Sequence, residues 1–406
     1  MSGIDDKIME VLYAFHDNLI KQINNGFFRF LMQTINWEQR MLAIKGPRGS
    51  GKTTLILQYI RYHLKQPREK VLYITADYYW FYTHNLVETA DEFYKNGGRF
   101  LFIDEVHKYP NWSRELKNIY DGYPDLRVVF SSSSALDIYR GDADLSRRVI
   151  SYDLPGLSFR EFLNLEANLK ISAIPWHDLI SRPNELARDI VNDIQPLPFF
   201  KQYLRHGYFP YFKESIPEEL PLRLNQTINT VVETDLAFIQ GYSQGTAFKV
   251  KKLLGVLAES VPFKPNISAL ARKLDVSRET VYAWLVHLNK ARMLNLLLSK
   301  GKGVSTLQKP EKVYLENTNL AFAMKTHPDL GAIRETFLLN QLINANLPVT
   351  LPQSGDFFAS GIHIEVGGKN KKATQVKTEP SFLVAADDIE IGFGTKVPLW
   401  LFGFLY

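Results

Sequence analysis

The sequence predicts an α/β fold whose N-terminal part is a mostly parallel sheet covered by helices on both faces. Apolar runs of strand length alternate with stretches of helical spacing there. The runs are continuously apolar rather than alternating, the mark of strands buried on both faces. A glycine-rich loop joins one of these strands directly to a helix.

Met41-Leu42-Ala43-Ile44 reads as a buried strand, and Thr54-Leu55-Ile56-Leu57-Gln58-Tyr59-Ile60 carries helical spacing into Leu64. Between them lies Gly46-Pro47-Arg48-Gly49-Ser50-Gly51-Lys52-Thr53, which fits the Walker A pattern in its strand–loop–helix context. Such glycines let successive backbone N–H groups point inward around phosphate, and the helix N-terminus adds positive potential. Lys52 is expected to reach the outer phosphates, the Thr53 hydroxyl to hold Mg²⁺, and Gly46 through Thr54 to form the binding segment.

Val71-Leu72-Tyr73-Ile74-Thr75 is the next strand, and Phe100-Leu101-Phe102-Ile103-Asp104-Glu105 ends in two carboxylates, a Walker B signature. Asp104 is expected on the metal side beside Thr53, and Glu105 as the general base. Arg127-Val128-Val129-Phe130 ends in four serines. Ser131 or Ser132 is expected to sense the γ-phosphate or orient water if this strand lies between the Walker strands. Ser134 or a neighbour capping a helix at Ala135 is the alternative. Arg147 and Arg148, ahead of a strand at Val149-Ile150-Ser151-Tyr152, are candidates for charge stabilisation, in cis or across a subunit boundary, or for a surface salt bridge.

These motifs define a P-loop NTPase domain with an N-terminal helical segment over 1–165. A Pro-broken helical lid or linker is expected over 166–247, a winged helix over 248–316 and an α/β domain resembling restriction nucleases over 317–406. In the lid, Gly207-Tyr208-Phe209-Pro210-Tyr211-Phe212 reads as buried aromatic packing, with base stacking as the minor alternative.

Ile267 to Leu274 and Ser277 to Leu285 read as a helix-turn-helix. Leu270, Ala271, Leu274, Val276, Val281, Leu285 and Leu288 form its shared core. Ser277 is the N-cap of the second helix, and Arg278, Tyr282 and Arg292 project outward. Leu294 to Leu298, Lys300-Gly301-Lys302-Gly303 and Lys312 to Leu315 have the order of a wing with a basic tip, which suits DNA; Glu279 on the outward face suits a protein partner instead.

In the last segment, Glu335, Asp356 and Glu365 read as a second, weak metal site of nuclease type. The usual lysine two residues after the glutamate is replaced by Gly367, and Lys369 lies about 13 Å along an extended strand against about 7 Å for the usual spacing. The nuclease fold is therefore expected with its chemistry impaired, and Lys369, Lys371, Lys372 and Lys377 form a basic cluster able to follow a phosphate backbone. Val397 to Tyr406 is expected as a buried terminal strand.

Ile35-Asn36-Trp37, Glu105-Val106-His107-Lys108-Tyr109-Pro110-Asn111-Trp112 and Leu154-Pro155-Gly156-Leu157-Ser158-Phe159-Arg160-Glu161-Phe162, together with the Walker motifs, resemble a family of prokaryotic AAA-type ATPases with a C-terminal domain of unknown function. The resemblance covers essentially the whole chain and implies ATP, rather than GTP, with Mg²⁺.

The 406 residues carry no cysteine, which excludes disulfides, a thiol nucleophile and a thiolate metal site. No histidine pair has metal-ligand spacing. Asp5 and Asp6 depart from a signal-peptide plan and no apolar run spans a bilayer, so a cytoplasmic protein without a membrane partner is expected. A net charge of +5 permits a nucleic-acid partner without requiring one. The expected function is an Mg-dependent ATPase whose nucleotide state repositions the C-terminal half against a partner, DNA first and another protein or a second copy of the chain after it. A slow ATP-timed DNA-binding regulator, a protein-interaction switch and an ATP-loaded nuclease are the rivals.

Overall fold

The computed structural model describes residues 2–24, 26–132, 145, 147–260, 264–297, 310–325 and 327–406. They form two compact units, Met1–Gly156 and Leu157–Tyr406.

The first unit begins with helix α1 (Ser2–Gln22) and continues through β1 (Met41–Lys45), α2 (Lys52–Gln58), β2 (Val71–Thr75), α3 (Leu86–Lys95), β3 (Phe100–Asp104), α4 (Trp112–Gly122), β4 (Arg127–Ser132) and β5 (Ile150–Asp153). The strands make one parallel sheet in the order β2-β3-β4-β1-β5. The apolar runs serve both faces, as the period of two along a strand requires. Met41, Ala43, Leu72, Ile74, Leu101 and Ile103 pack with α3 and α4 on one side. Leu42, Ile44, Tyr73, Phe102 and Val129 pack with α2 on the other. Each fully buried Leu, Ile or Phe contributes roughly 1.5–3 kcal/mol. The helical spacing after the loop runs as expected: α2 passes into a π turn, Tyr59–His63, which closes at Leu64.

β2 is an edge strand, and α1 covers it. The Tyr73 amide donates to His16 Nδ1 at 2.9 Å, satisfying an N–H that the sheet edge leaves open. Arg68 clasps Asp17 of the same helix through two nitrogens, at 2.7–3.0 Å.

The second unit opens with α5 (Phe159–Glu166), whose start is fixed by a reciprocal capping box between Ser158 and Glu161. Short helices follow to Gln240, and Tyr208, Phe209 and Phe212 are buried among their neighbours, as aromatic packing predicts. Then come α6 (Gln244–Ser260), α7 (Ile267–Leu274) and α8 (Arg278–Lys290), and the antiparallel pair β6 (Leu294–Leu297) and β7 (Lys312–Leu315). Ser277 caps α8 by accepting from the Thr280 amide at 3.1 Å. The core between α7 and α8 is the expected one, with Val276 only half-buried and Trp284 added. The lysines of the expected wing tip, Lys300 and Lys302, lie outside the described residues.

Arg292 departs from expectation. It sits just past the C-cap of α8 with φ 59°, and this left-handed turn swings its side chain inward. There it donates to Asn344 Oδ1 at 3.3 Å and stands 3.8 Å from the buried Glu316 carboxylate.

The unit ends with α9 (Thr318–Met324), α10 (Leu330–Asn344) and a second five-stranded sheet. Its strands β8 (Val349–Thr350), β9 (Phe357–Ala359), β10 (Ile362–Gly367), β11 (Phe382–Ala386) and β12 (Lys396–Pro398) lie in the order β12-β11-β10-β9-β8. β8 with β9 and β9 with β10 pair antiparallel, and β10 with β11 and β11 with β12 pair parallel. The expected terminal strand is cut short. Pro398 brings no N–H to the ladder, and Leu399–Phe404 winds instead into a fully buried 3₁₀ helix.

His16 makes the first unit sensitive to acid. Burial, partly offset by the charge of Asp17, lowers its pKa from 6.5 to about 4. The folded state then binds fewer protons than the unfolded state between those values, so stability is present above pH 6.5 and is lost as pH falls toward 4. Up to about 3 kcal/mol is at stake. Thermal melts are expected to drop across this window, and His16→Asn, which keeps an acceptor and removes the titration, is expected to flatten the drop.

Candidate active site

Gly46 opens the loop against backbone: a Cβ there would stand 2.1 Å from the Leu154 carbonyl oxygen. Gly49 and Gly51 have φ of 82° and 90°, a region that L side chains rarely adopt. Through them the chain reverses and enters α2, whose first turn has no capping side chain. A helix start of this kind favours an anion. Lys52 is buried, and its ammonium folds back to donate to the Gly46 and Pro47 carbonyls at 3.1 Å each.

The carboxyl ends of β2, β3 and β4 meet at Asp104, which is 2% exposed. Oδ2 accepts from the Thr53 hydroxyl at 2.5 Å and the Tyr73 phenol at 2.9 Å. Oδ1 accepts from the Ser131 hydroxyl and from the Glu105 amide at 3.2 Å. β4 lies between β3 and β1, the condition set for the serine expectation. Ser131 is the serine that reaches the carboxylate; Ser132 is buried in register with Lys45. Ser134 and Ala135 lie outside the described residues. Burial, and next the charge of Asp104, push the Tyr73 phenol far above its ordinary value, so it remains a donor.

Glu105 stands at φ 55°, ψ 38°, a strained conformation for a side chain of its size. Its Oε2 has no hydrogen bond and lies 3.4 Å from Lys108 Nζ and 3.6 Å from His107 Nε2. Lys108 also pairs with Asp77, which follows β2. Burial works against the Lys108 ammonium, but the Asp77 hydrogen bond and the charges of Glu105 and Asp77 raise its pKa nonetheless.

Arg148 joins Asp121 at 2.9 Å and leans over the Tyr120 ring, the salt-bridge alternative read from the sequence. Arg147 is exposed. Sequence reasoning missed Arg29, which is buried and donates to the Ser50 carbonyl in the loop and to the Pro155 and Gly156 carbonyls at 2.8 and 3.0 Å. No motif surrounds it that could have marked it. Tyr73 and Lys108 were also missed, although both sit in segments that the sequence singled out.

The residues present fit a magnesium–triphosphate group. The glycine loop leads into a helix start without a capping side chain, the Ser50 hydroxyl is buried without a hydrogen-bond partner, and Thr53 and Asp104 supply oxygen donors side by side.

The second expected metal site is not assembled. Among the described residues no group of three or more His, Cys, Asp or Glu side chains is placed to hold a metal ion. Glu335 is taken by Lys312 at 3.3 Å and Tyr314 at 2.8 Å, and Asp356 Oδ2 accepts from the Val366 amide at 2.8 Å. Glu365 is paired with Lys371 at 3.0 Å. The strand stops at Gly367 and turns, with the Lys371 amide bonded to the Gly368 carbonyl, so Lys371 rather than Lys369 returns to the glutamate.

Strand, glycine loop, helix and a carboxylate-tipped strand two places along the sheet define a P-loop domain. Residues 38–163 match the family model of an AAA domain, and residues 198–330 match that of a domain of unknown function. The chain thus carries an AAA-type P-loop domain and, beyond it, a domain of unknown function.

An uncharacterized protein of Methanocaldococcus jannaschii is 25% identical over 289 residues, covering 68% of this chain. The chain spans 61% of that protein's length. Another from the same organism is 22% identical over 362 residues, covering 83% of this chain and 74% of the relative. Among solved structures, the Walker-type ATPase of Pyrococcus abyssi matches at TM-score 0.38 and 12% identity, covering 71% of this chain and 91% of that one. The Aeropyrum pernix ORC1 protein, solved with DNA, matches at TM-score 0.31 and 14% identity, covering 72% and 88%.

Proposed function

We propose that the first unit binds Mg-ATP along Gly46 to Thr54 and hydrolyses it, and that the protein works in the cytoplasm. The observation that carries this reading is the 2.5 Å hydrogen bond from Thr53 to Asp104, made between residues 51 apart in sequence. It joins the two motifs where a triphosphate and its cation would meet. The cation supplies Lewis-acid stabilisation of phosphate charge. Lys52 releases the loop carbonyls and meets the outer phosphates, while the loop amides hold them. Thr53 and Asp104 hold the cation. Glu105, whose Oε2 lacks a hydrogen bond, takes the proton of the attacking water, and Ser131 keeps Asp104 and the Glu105 amide in place. Arg147, which is exposed, is the guanidinium we assign to charge stabilisation across a boundary to a second copy.

In the second unit, α7, α8 and the β6–β7 pair have the order of a winged helix. The terminal sheet is nuclease-like in plan, with Glu365 paired to Lys371, Glu335 of α10 paired to Lys312, and Asp356 bonded to the Val366 amide. DNA is the proposed partner, against which nucleotide state repositions the C-terminal half. A groove beside the start of α8 is lined by Ser268, Arg272, Ser277 and Arg278, which suits phosphate. A protein partner is the second reading, because Asp275 and Glu279 share that rim.

Lys52→Ala is expected to abolish ATP binding in calorimetry. Glu105→Gln is expected to bind ATP with near wild-type affinity while phosphate release falls at least about a hundredfold; turnover at the wild-type rate would remove Glu105 as the base. DNA binding is expected to weaken with salt at a log–log slope near −0.9 for each phosphate neutralised, and Arg272→Ala with Arg278→Ala is expected to flatten it. A slope of zero would transfer the second unit to a protein partner.

A further inference from the structure

We infer that Tyr73 is a positioning residue of this site: its phenol fixes the Asp104 carboxylate facing Thr53 and thereby sets how tightly a divalent cation is held with the triphosphate. The inference rests on the Mg-ATP reading and adds a residue to it.

Asp104 takes two donors on each oxygen, and an ionised carboxylate offers about four lone-pair sites. The donors differ in what they are free to do. Thr53 must present its own oxygen to a cation, and the Glu105 amide belongs to a residue held in a strained conformation. Tyr73 is bound to neither task. Its ring is 1% exposed and stacks on Phe15 at 6.5 Å within the packed face beneath α2. Its amide is tied to His16, so ring and backbone are both anchored.

Packing alone does not explain a tyrosine here. A phenylalanine would bury the same ring without a hydroxyl to satisfy, and a buried phenol requires a partner. Asp104 is that partner. Removing Tyr73's hydroxyl leaves Oδ2 with Thr53 as its one remaining hydroxyl donor, so the carboxylate gains freedom to rotate when Thr53 engages a cation. Outer partners of metal-holding groups typically affect metal affinity 10–100-fold.

The test is calorimetric ATP binding to the full chain and to Tyr73→Phe, in EDTA and in Mg²⁺, with thermal melts of both free proteins. The expected result is equal affinity in EDTA, a magnesium-dependent gain at least about tenfold smaller in the variant, and closely similar melting temperatures. An unchanged magnesium gain overturns the inference. So does a parallel loss in EDTA and Mg²⁺, which would make Tyr73 a general structural residue, or a wild-type affinity indifferent to magnesium. A wild-type chain that binds no ATP under either condition overturns the Mg-ATP reading itself and this inference with it.

Discussion

The Asp104 carboxylate is the constraint on which the first unit is organised. A carboxylate 2% exposed is tolerable only when its oxygens are hydrogen-bonded, and here the donors come from α2, β2, β4 and the residue after β3. Satisfying one side chain therefore fixes four segments against each other. A one-residue slip of β4 along β3 would turn Ser131 to the opposite face of the sheet and bring Phe130 to the carboxylate side. The strand register is thus tied to polar satisfaction at the strand tips as well as to the two apolar faces. The nucleotide loop inherits this order, because Thr53 begins where the loop ends.

What the sequence reveals follows the range of the forces involved. Strands β1 to β4 are legible because a two-face burial demands continuous apolar residues, and α7 and α8 because their apolar spacing and the Ser277 cap are local. Asp104, Glu105 and Thr53 are legible because their chemistry fixes their spacing. Tyr73 is not: within Val71 to Thr75 it reads as one more apolar strand residue, and its hydroxyl acquires meaning only when Asp104 arrives beside it. Arg29 is hidden for the same reason, its carbonyl acceptors lying 21 to 127 residues away. Lys371 is hidden by a turn at paired glycines, where strand spacing stops measuring distance.

The second unit shows how polar residues can define an interior. Glu316, 1% exposed, accepts from Tyr208 at 2.8 Å, Asn317 at 2.7 Å and Asn340 at 3.1 Å, with Arg292 nearby. Burial raises its pKa against the pull of Arg292 and these donors. In sequence Asn317, Asn319, Asn340 and Asn344 resemble surface residues, yet all are buried. Such a network costs free energy wherever one member is missing, so it favours one arrangement of the helices over near alternatives. It also crosses the end of the matched domain of unknown function at residue 330, since Asn340 and Asn344 lie beyond it.

The carboxylates of the two units differ in what surrounds them, and the difference bears on where cation chemistry belongs. The donors to Asp104 are three hydroxyls and a backbone amide, all neutral. They hold the group in place and leave its negative charge in force, which is the condition a cation needs. Glu335 and Glu365 face the ammonium groups of Lys312 and Lys371 at 3.3 and 3.0 Å, which cancel their charge from within the chain. A divalent ion entering there would have to displace a lysine already paired in a partly buried place, whereas one entering beside Asp104 displaces no cation paired with that carboxylate. The same functional group thus serves two ends: open charge at the tip of β3, and closed ion pairs that tie α10 to β7 and β10 to the turn after it.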